Sequence, residues 1–238
     1  MSDFKRFVPR APSPPLVLRA VFWLAFFHAI AASVLALSTT GSDLLADVVS
    51  VHLPVQSFWP ALEPSVTLSP APVAMVVGGG FSSGDVMVRG LGFDARIWLA
   101  MGDLARGVIP VSISICLALL AQRLLRGDPF DRQMSRAAFA TASFVGVGGL
   151  IWQLCSGTGE SIASAQVLAV TGWTINDSDV LGDDLSAVGW PLPSVGGLID
   201  SWPIAAALAI AAVGVAFRYG ETVTADRAAL KRETEGLV

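Results

Sequence analysis

Four long apolar runs constrain this chain more than any other feature. They cover 20–37 (AVFWLAFFHAIAASVLAL), 108–125 (VIPVSISICLALLAQRLL), 137–154 (AAFATASFVGVGGLIWQL) and 203–217 (PIAAALAIAAVGVAF). A bilayer core about 30 Å thick is crossed by about 20 helical residues. Lipid cannot hydrate a bare amide, so a crossing segment is either a helix or part of a closed barrel. Barrel strands alternate apolar and polar residues, and these runs do not. The expectation is four transmembrane helices. The fourth is the shortest, and Trp202 and Tyr219 flank it as interfacial anchors. The first is longer than the apolar core of a signal peptide (about 7–15 residues), and its VLALS tail is a poor cleavage site, so we take it as a retained anchor. Composition agrees: 14% of residues are charged, against about 25% in soluble domains.

The basic residues are segregated. Lys5, Arg6, Arg10 and Arg19 precede the first run. Arg123, Arg126, Arg132 and Arg136 surround the connection between the second and third. Arg218, Arg227, Lys231 and Arg232 follow the fourth. Only Arg89, Arg96 and Arg106 lie in the connection 38–107, and none lies in 156–201, which carries Glu160, Asp177, Asp179, Asp183, Asp184 and Asp200. The positive-inside rule puts both termini and the short middle connection in the cytoplasm. The resulting map is a cytoplasmic segment 1–19, spans at 20–37, 108–125, 137–154 and 203–217, outer connections 38–107 and 155–202, a cytoplasmic hairpin 126–136 and a cytoplasmic tail 218–238. No basic stripe interleaves with aromatics, so no nucleic-acid partner is expected.

The hairpin reads RLLRGDPFDRQ. Gly127 suits the left-handed end of a helix. Asp128 suits an N-cap and Pro129 the first turn that follows. Asp131 complements the new helix dipole. Phe130 can enter the interface beside the arginines. Beyond the fourth span, Arg218-Tyr219-Gly220 leads into a charged stretch that ends Glu235-Gly236-Leu237-Val238, and a polar helix is expected there, kinked rather than ended at Gly220. The GDPF turn, the RYG and the terminal EGLV resemble the bacterial membrane-protein family "domain of unknown function 2975". The resemblance implies four spans, a bacterial cell membrane and no assigned chemistry. It also implies a regulatory setting, because members are often encoded beside a small helix-turn-helix regulator.

Outside the spans, Val49, Val51, Leu53 and Val55 alternate, and short β-like runs follow at SVTL, VAMVV and DVMVRGL, punctuated by prolines and by Gly78 to Gly80. The run Ala165 to Ile175 is expected as a further strand, giving a small antiparallel sheet from both outer connections. These total roughly 100 residues, near the size of a small domain. Residues 94–106 are expected to extend the second helix outward. The fold class is therefore mainly α: a polytopic four-transmembrane-helix bundle with a small extracytoplasmic β-containing cap.

The acidic run Asn176 to Asp184 offers Asp177, Asp179, Asp183 and Asp184 as weak metal candidates. An oxygen-ligand calcium loop needs donors at positions 1, 3, 5 and 12, and counting from Asp177 places Leu181 and Val188 at the last two. A solvated acidic loop fits better. The Gly78-Gly79-Gly80 stretch lacks the Gly-Lys-Ser/Thr of a phosphate loop and fits a turn. His28 is the intramembrane polar residue. A polar group at that depth points to function by default, but no span holds a carboxylate to pair with it. A neutral ring bonded to Ser112, Ser114 or Thr141 of a neighbouring helix is the simpler account. Two histidines and two membrane cysteines do not make a zinc set. Cys116 and Cys155 would differ in depth by roughly 10 Å in antiparallel helices, from the 1.5 Å rise per residue, which argues against a disulfide. Gln153 is expected at the interface, and Asp103 with Arg106 as a surface pair. Small residues recur at Ala138, Ala142 and Gly146, and at Ala25, Ala29 and Ser33, as in close helix packing or a homo-oligomer face.

No nucleophile, base and orienter set emerges. The expectation is a non-catalytic protein without cofactors that senses or transduces. Its partners would be the bilayer and a cytoplasmic regulatory protein, met through Gly127, Asp128, Pro129, Phe130, Tyr219 and Gly220. The alternatives are a transporter or channel subunit, which would require oligomers, and an intramembrane enzyme, disfavoured because no span holds Asp, Glu, Lys or a paired His.

Overall fold

A computed structural model of the chain describes residues 16–59, 77–126, 132–170, 190–196 and 199–235. Its elements, in chain order, are α1 (Leu16–Leu45), β1 (Val48–Phe58), β2 (Phe81–Arg89), α2 (Phe93–Arg126), α3 (Arg132–Leu168) and α4 (Trp202–Glu235). The protein is mainly helical with a two-stranded sheet, and all four helices are long and apolar enough to cross a membrane.

Each helix outruns its apolar run. α1 passes Leu37 through Thr39, Thr40, Gly41, Ser42 and Asp43, which are weak helix formers. Packing offsets that weakness: Thr39 Oγ1 donates to the Ala36 carbonyl at 3.1 Å, and Gly107 lies so close to Ala36 that a Cβ there would overlap it. α2 begins at Phe93 with Asp94 in its first turn, where a carboxylate complements the helix dipole. The outward extension expected over 94–106 is therefore helical. α4 runs through Gly220 without a break.

α3 corrects one expectation. Ala165 to Leu168 form its last turn, not a strand, and residues 171–175 lie outside the described residues. The helix persists because its small residues fit under β1. Ala163 and Ser164 are fully buried, and Ser164 Oγ donates to the Pro54 carbonyl at 2.6 Å. Among its described residues, the second connection therefore adds no strand to the sheet. It contributes an isolated bridge, Val55 to Pro193, flanked by hydrogen bonds from Gln56 N–H to Leu192 O and from Ser194 N–H to Pro54 O.

The chain forms two compact units. A helical unit comprises residues 1–34, 108–147 and 202–238, and a sheet unit comprises 35–107 and 148–201. In the helical unit, Met134, Ala138, Thr141, Ala142 and Val145 are buried on one face of α3. A Cβ added to Gly146 would lie 3.1 Å from that of Ala207, and one on Gly214 would lie 3.2 Å from that of Ala138. The stripe Ala138, Ala142 and Gly146 thus brings α3 and α4 together, because small residues let helices approach closely where water supplies no driving force. On the other stripe, Ala25 is buried and Ala29 accepts a hydrogen bond from Ser33 Oγ at 2.8 Å. Trp23, Leu24, Phe26 and Phe27 of α1 are exposed, as suits a surface facing acyl chains.

In the sheet unit, β1 and β2 pair antiparallel from Val48↔Arg89 to Pro54↔Ser83, and again at Phe58↔Phe81 after an irregularity. The expected alternation holds from Val49 to Leu53, where Val49, Val51 and Leu53 turn to one side and cluster with Leu91, Ala95 and Ala163, and it breaks at Pro54, which is buried next to Leu53, with Val55 half-buried. Gly90, at φ +76°, makes the turn from β2 into α2, a conformation glycine adopts without steric cost. Gly80 abuts the Phe58 carbonyl where a side chain would collide. The SVTL run and most of VAMVV lie outside the described residues.

Candidate functional site

Among the described residues, several polar groups of the helical unit are bonded to near neighbours. His28 Nδ1 lies 2.7 Å from Ser114 Oγ, the kind of partner its setting demands. Ser114 Oγ also donates to the Pro110 carbonyl at 2.7 Å. A hydroxyl carries one proton, so with that proton on Pro110 the imidazole Nδ1 must be the donor to Ser114. His28 is thereby held with its proton on Nδ1. Pro110 sits inside α2 and offers no N–H to the turn before it. Thr141 Oγ1 reaches the Ser112 carbonyl at 3.5 Å, a long contact linking α3 to α2. Nearer the other end, Ser135 Oγ donates to Glu221 Oε1 at 3.1 Å, and Arg123 bonds Gln133.

The sheet unit carries its acids differently. His52 Nδ1 and Asp85 Oδ1 pair across the strands at 2.8 Å, both well exposed. Glu160, on α3 beyond the apolar run that ends at Leu154, is half-buried. Burial raises its carboxyl above the usual range, His52 lowers it, and Asp85 raises it further. The segment 190–196 is fastened close by. Gly196 N–H donates to Ser161 Oγ at 2.8 Å, and Trp190 Nε1 donates to the Leu168 carbonyl at 3.2 Å.

A second group gathers where α1 ends and α2 begins. Asp43 lies about 9 Å along the helix past Leu37, from the 1.5 Å rise, and so outside the apolar run. Its carboxyl is pushed up to about 6, chiefly by burial, then by the like charge of Asp103, with Arg96 opposing. Arg96 is committed elsewhere: Nε donates to the Leu91 carbonyl at 3.0 Å and an Nη to the Ala46 carbonyl at 2.7 Å. It ties the chain just after α1 to the first turns of α2 and leaves Asp43 without a direct ion pair. Thr40 Oγ1, one turn earlier, is buried without a partner.

Other expectations fare variously. Arg106 does not pair with Asp103. Its guanidinium lies over the Trp152 ring, 5.3 Å from the centroid, because an aromatic face attracts a cation. Gln153 clamps the Asp200 backbone through both amide atoms, at 3.0 and 2.6 Å. Cys116 and Cys155 are free thiols. Tyr219 is exposed and sits with Gly220 on α4. Gly127, Asp128, Pro129 and Phe130 lie outside the described residues, as do Asp177, Asp179, Asp183 and Asp184. Among the described residues no three His, Cys, Asp or Glu side chains gather to hold a metal ion.

Sequence reasoning missed Asp43 and Arg96 as members of one site. Asp43 follows STTG, which reads as loop, and only the unbroken helix turns it toward α2. Comparison with protein-family models, with curated proteins and with solved structures finds no match to the chain. By length and composition of its helices, the chain has the makings of a multi-pass membrane protein.

Proposed function

We propose that the chain is a four-span protein of the bacterial cell membrane, non-catalytic, with both termini and the 126–136 hairpin in the cytoplasm. Its sheet unit receives a stimulus on the outer side, and its hairpin and tail pass the response to a cytoplasmic regulatory protein. One observation carries this reading: the sheet unit has its own apolar core, yet α1, α2 and α3 each supply residues to it and to the helical unit without a break. A change in the sheet unit acts on the same helices that cross the bilayer. The basic residues at 1–19, 123–136 and 218–232 support the orientation, and the GDPF, RYG and EGLV residues support kinship with the family of unknown function 2975.

The test is photocrosslinking in cells from probes at Phe130 and Tyr219. The expected outcome is a discrete adduct with one cytoplasmic protein, lost when residues 127–131 are replaced by a glycine-serine linker. Absence of any adduct, together with ion or solute flux in proteoliposomes of the purified chain, would replace this reading by a transporter.

A further inference from the structure

We infer that the free edge of β2 is a docking surface for a second copy of this chain, the two β2 strands pairing antiparallel about Met87. The inference goes beyond the sensor reading and draws on the membrane reading only for the confinement of the two copies.

β1 has a further partner besides β2. The 192–194 segment meets it through the Gln56 N–H to Leu192 O and Ser194 N–H to Pro54 O bonds. β2 has none. Among the described residues, the backbone of Phe81–Arg89 bonds only that of β1. Phe81 to Met87 and Arg89 are all exposed, and Val88 is half-buried. The strand carries no proline. Such an edge offers a row of unpaired N–H and C=O groups to an incoming strand.

The side chains define which strand fits. Partners across a ladder share a face. Val86 and Val88 stand opposite the buried Val51 and Val49, on the inner face. Asp85, Met87 and Arg89 stand opposite His52, Ser50 and Val48, on the outer face. Successive residues alternate in face, so a two-fold pairing that keeps the inner face inner must be centred on a residue. Centring on Asp85 or Arg89 sets like charges against each other. Centring on Val86 or Val88 leaves both charges without an opposite partner. Centring on Met87 sets Asp85 against Arg89 of the second copy twice over, with Val86 against Val88 on the inner face. Both charges can take a second contact. Asp85 uses Oδ1 for His52 and Arg89 uses Nε for Asp47, yet their side chains remain 82% and 75% exposed. A carboxylate has further lone pairs and a guanidinium further N–H donors.

β2 is nine residues long, fewer than the roughly 20–30 a side of a standard interface between soluble proteins. Copies held in one bilayer share a plane and an orientation, so they lose less freedom on meeting. The two-fold axis of an edge-to-edge strand pair is perpendicular to the sheet, so copies in one bilayer need the sheet to lie across the outer ends of α2 and α3. Its inner face packs on Ala95 in the first turn of α2 and on Ala163 in the last two turns of α3.

The experiment uses the full chain in the membranes of expressing cells, in a Cys116→Ala, Cys155→Ala background, and reads the initial rate of disulfide-linked dimer formation under mild oxidation. Met87→Cys should link, because Cα atoms facing each other across an antiparallel pair stand about 4.5–5.5 Å apart. Ser50→Cys, on the same face one strand further in, should not, because three strand spacings of about 4.8 Å separate it from its copy. Adding Arg89→Asp to Met87→Cys should slow linkage about tenfold, as two opposite-charge pairs become two like-charge ones. Adding Asp85→Arg as well should restore it. Asp47 still faces an acid in that variant, so recovery reports the contact between copies. Linkage from Met87→Cys no faster than from Ser50→Cys overturns the inference. So does linkage of Met87→Cys to a different protein, or a rate that ignores the charge changes. Each of these leaves the Phe130 and Tyr219 adducts, and with them the sensor reading, untouched.

Discussion

In the helical unit His28 is bonded to Ser114, and Ser114 to Pro110. In the sheet unit Asp43 and Glu160 are half-buried, and neither joins the ion pairs found among the described residues. In the proposed membrane arrangement the contrast follows from the two solvents. A polar group in hydrocarbon must be neutral and satisfied, since nothing else pays its desolvation. A carboxyl beyond the hydrocarbon can stay poised between two protonation states, because water can deliver or remove the proton. Under the proposed reading the sheet unit is the part that receives a signal, while His28 and Ser114 of the helical unit are held in local bonds.

The largest expected effect is on the sheet core. Leu53→Ala should cost about 2–5 kcal/mol, the usual range for emptying a buried leucine site. Hydrogen exchange should then open residues 48–58 and 81–89 well before 134–145. Simultaneous opening would break the division into two units. Next comes Gly146→Leu. A side chain there must displace Ala207, which already stands 3.1 Å from the first added carbon, so about 1–3 kcal/mol is expected from overpacking, seen as a lower unfolding temperature in detergent. Ser114→Ala should cost about 0.6–1.7 kcal/mol, the scale of intramembrane hydrogen bonds, and ¹⁵N NMR should show His28 losing its preference for the Nδ1 proton. An unchanged tautomer would refute the donor assignment.

Glu160→Gln should be nearly neutral at acid pH. Because burial raises the Glu160 carboxyl, ionising it destabilises the fold, so the variant should gain relative thermal stability as pH rises above the ordinary glutamate range. A gain on the acid side would reverse the assigned sign. Asp47→Asn should be the smallest, with no measurable shift in unfolding temperature, since the Arg89 pair is exposed.

The parts of the molecule legible in its sequence are those governed by periodicity. Four apolar runs announced four helices, and alternation at Val49, Val51 and Leu53 announced β1. His28 could be matched to a hydroxyl partner because a polar ring within an apolar run has few options. The extent of the helices was not legible. STTGSD after Leu37 and GTGESIASA after Cys155 read as polar loops, yet both are helical. Tertiary contacts decide there: Ala36 against Gly107, and Ala163 and Ser164 beneath β1. The Asp43 site depends on those extensions, so no local pattern could reveal it. Arg106 escaped for a related reason, since Trp152 is remote in sequence.

Pro110 has a mechanical consequence. Lacking an N–H, it leaves the backbone carbonyl of Arg106 without the bond that normally stiffens that turn, and it falls three residues beyond Gly107, where α2 passes from one unit to the other. Flexure of α2 is cheapest at that turn, and Ser114, gripping both Pro110 and His28, fastens the rod immediately past it. The position of that soft turn is fixed by covalent chemistry.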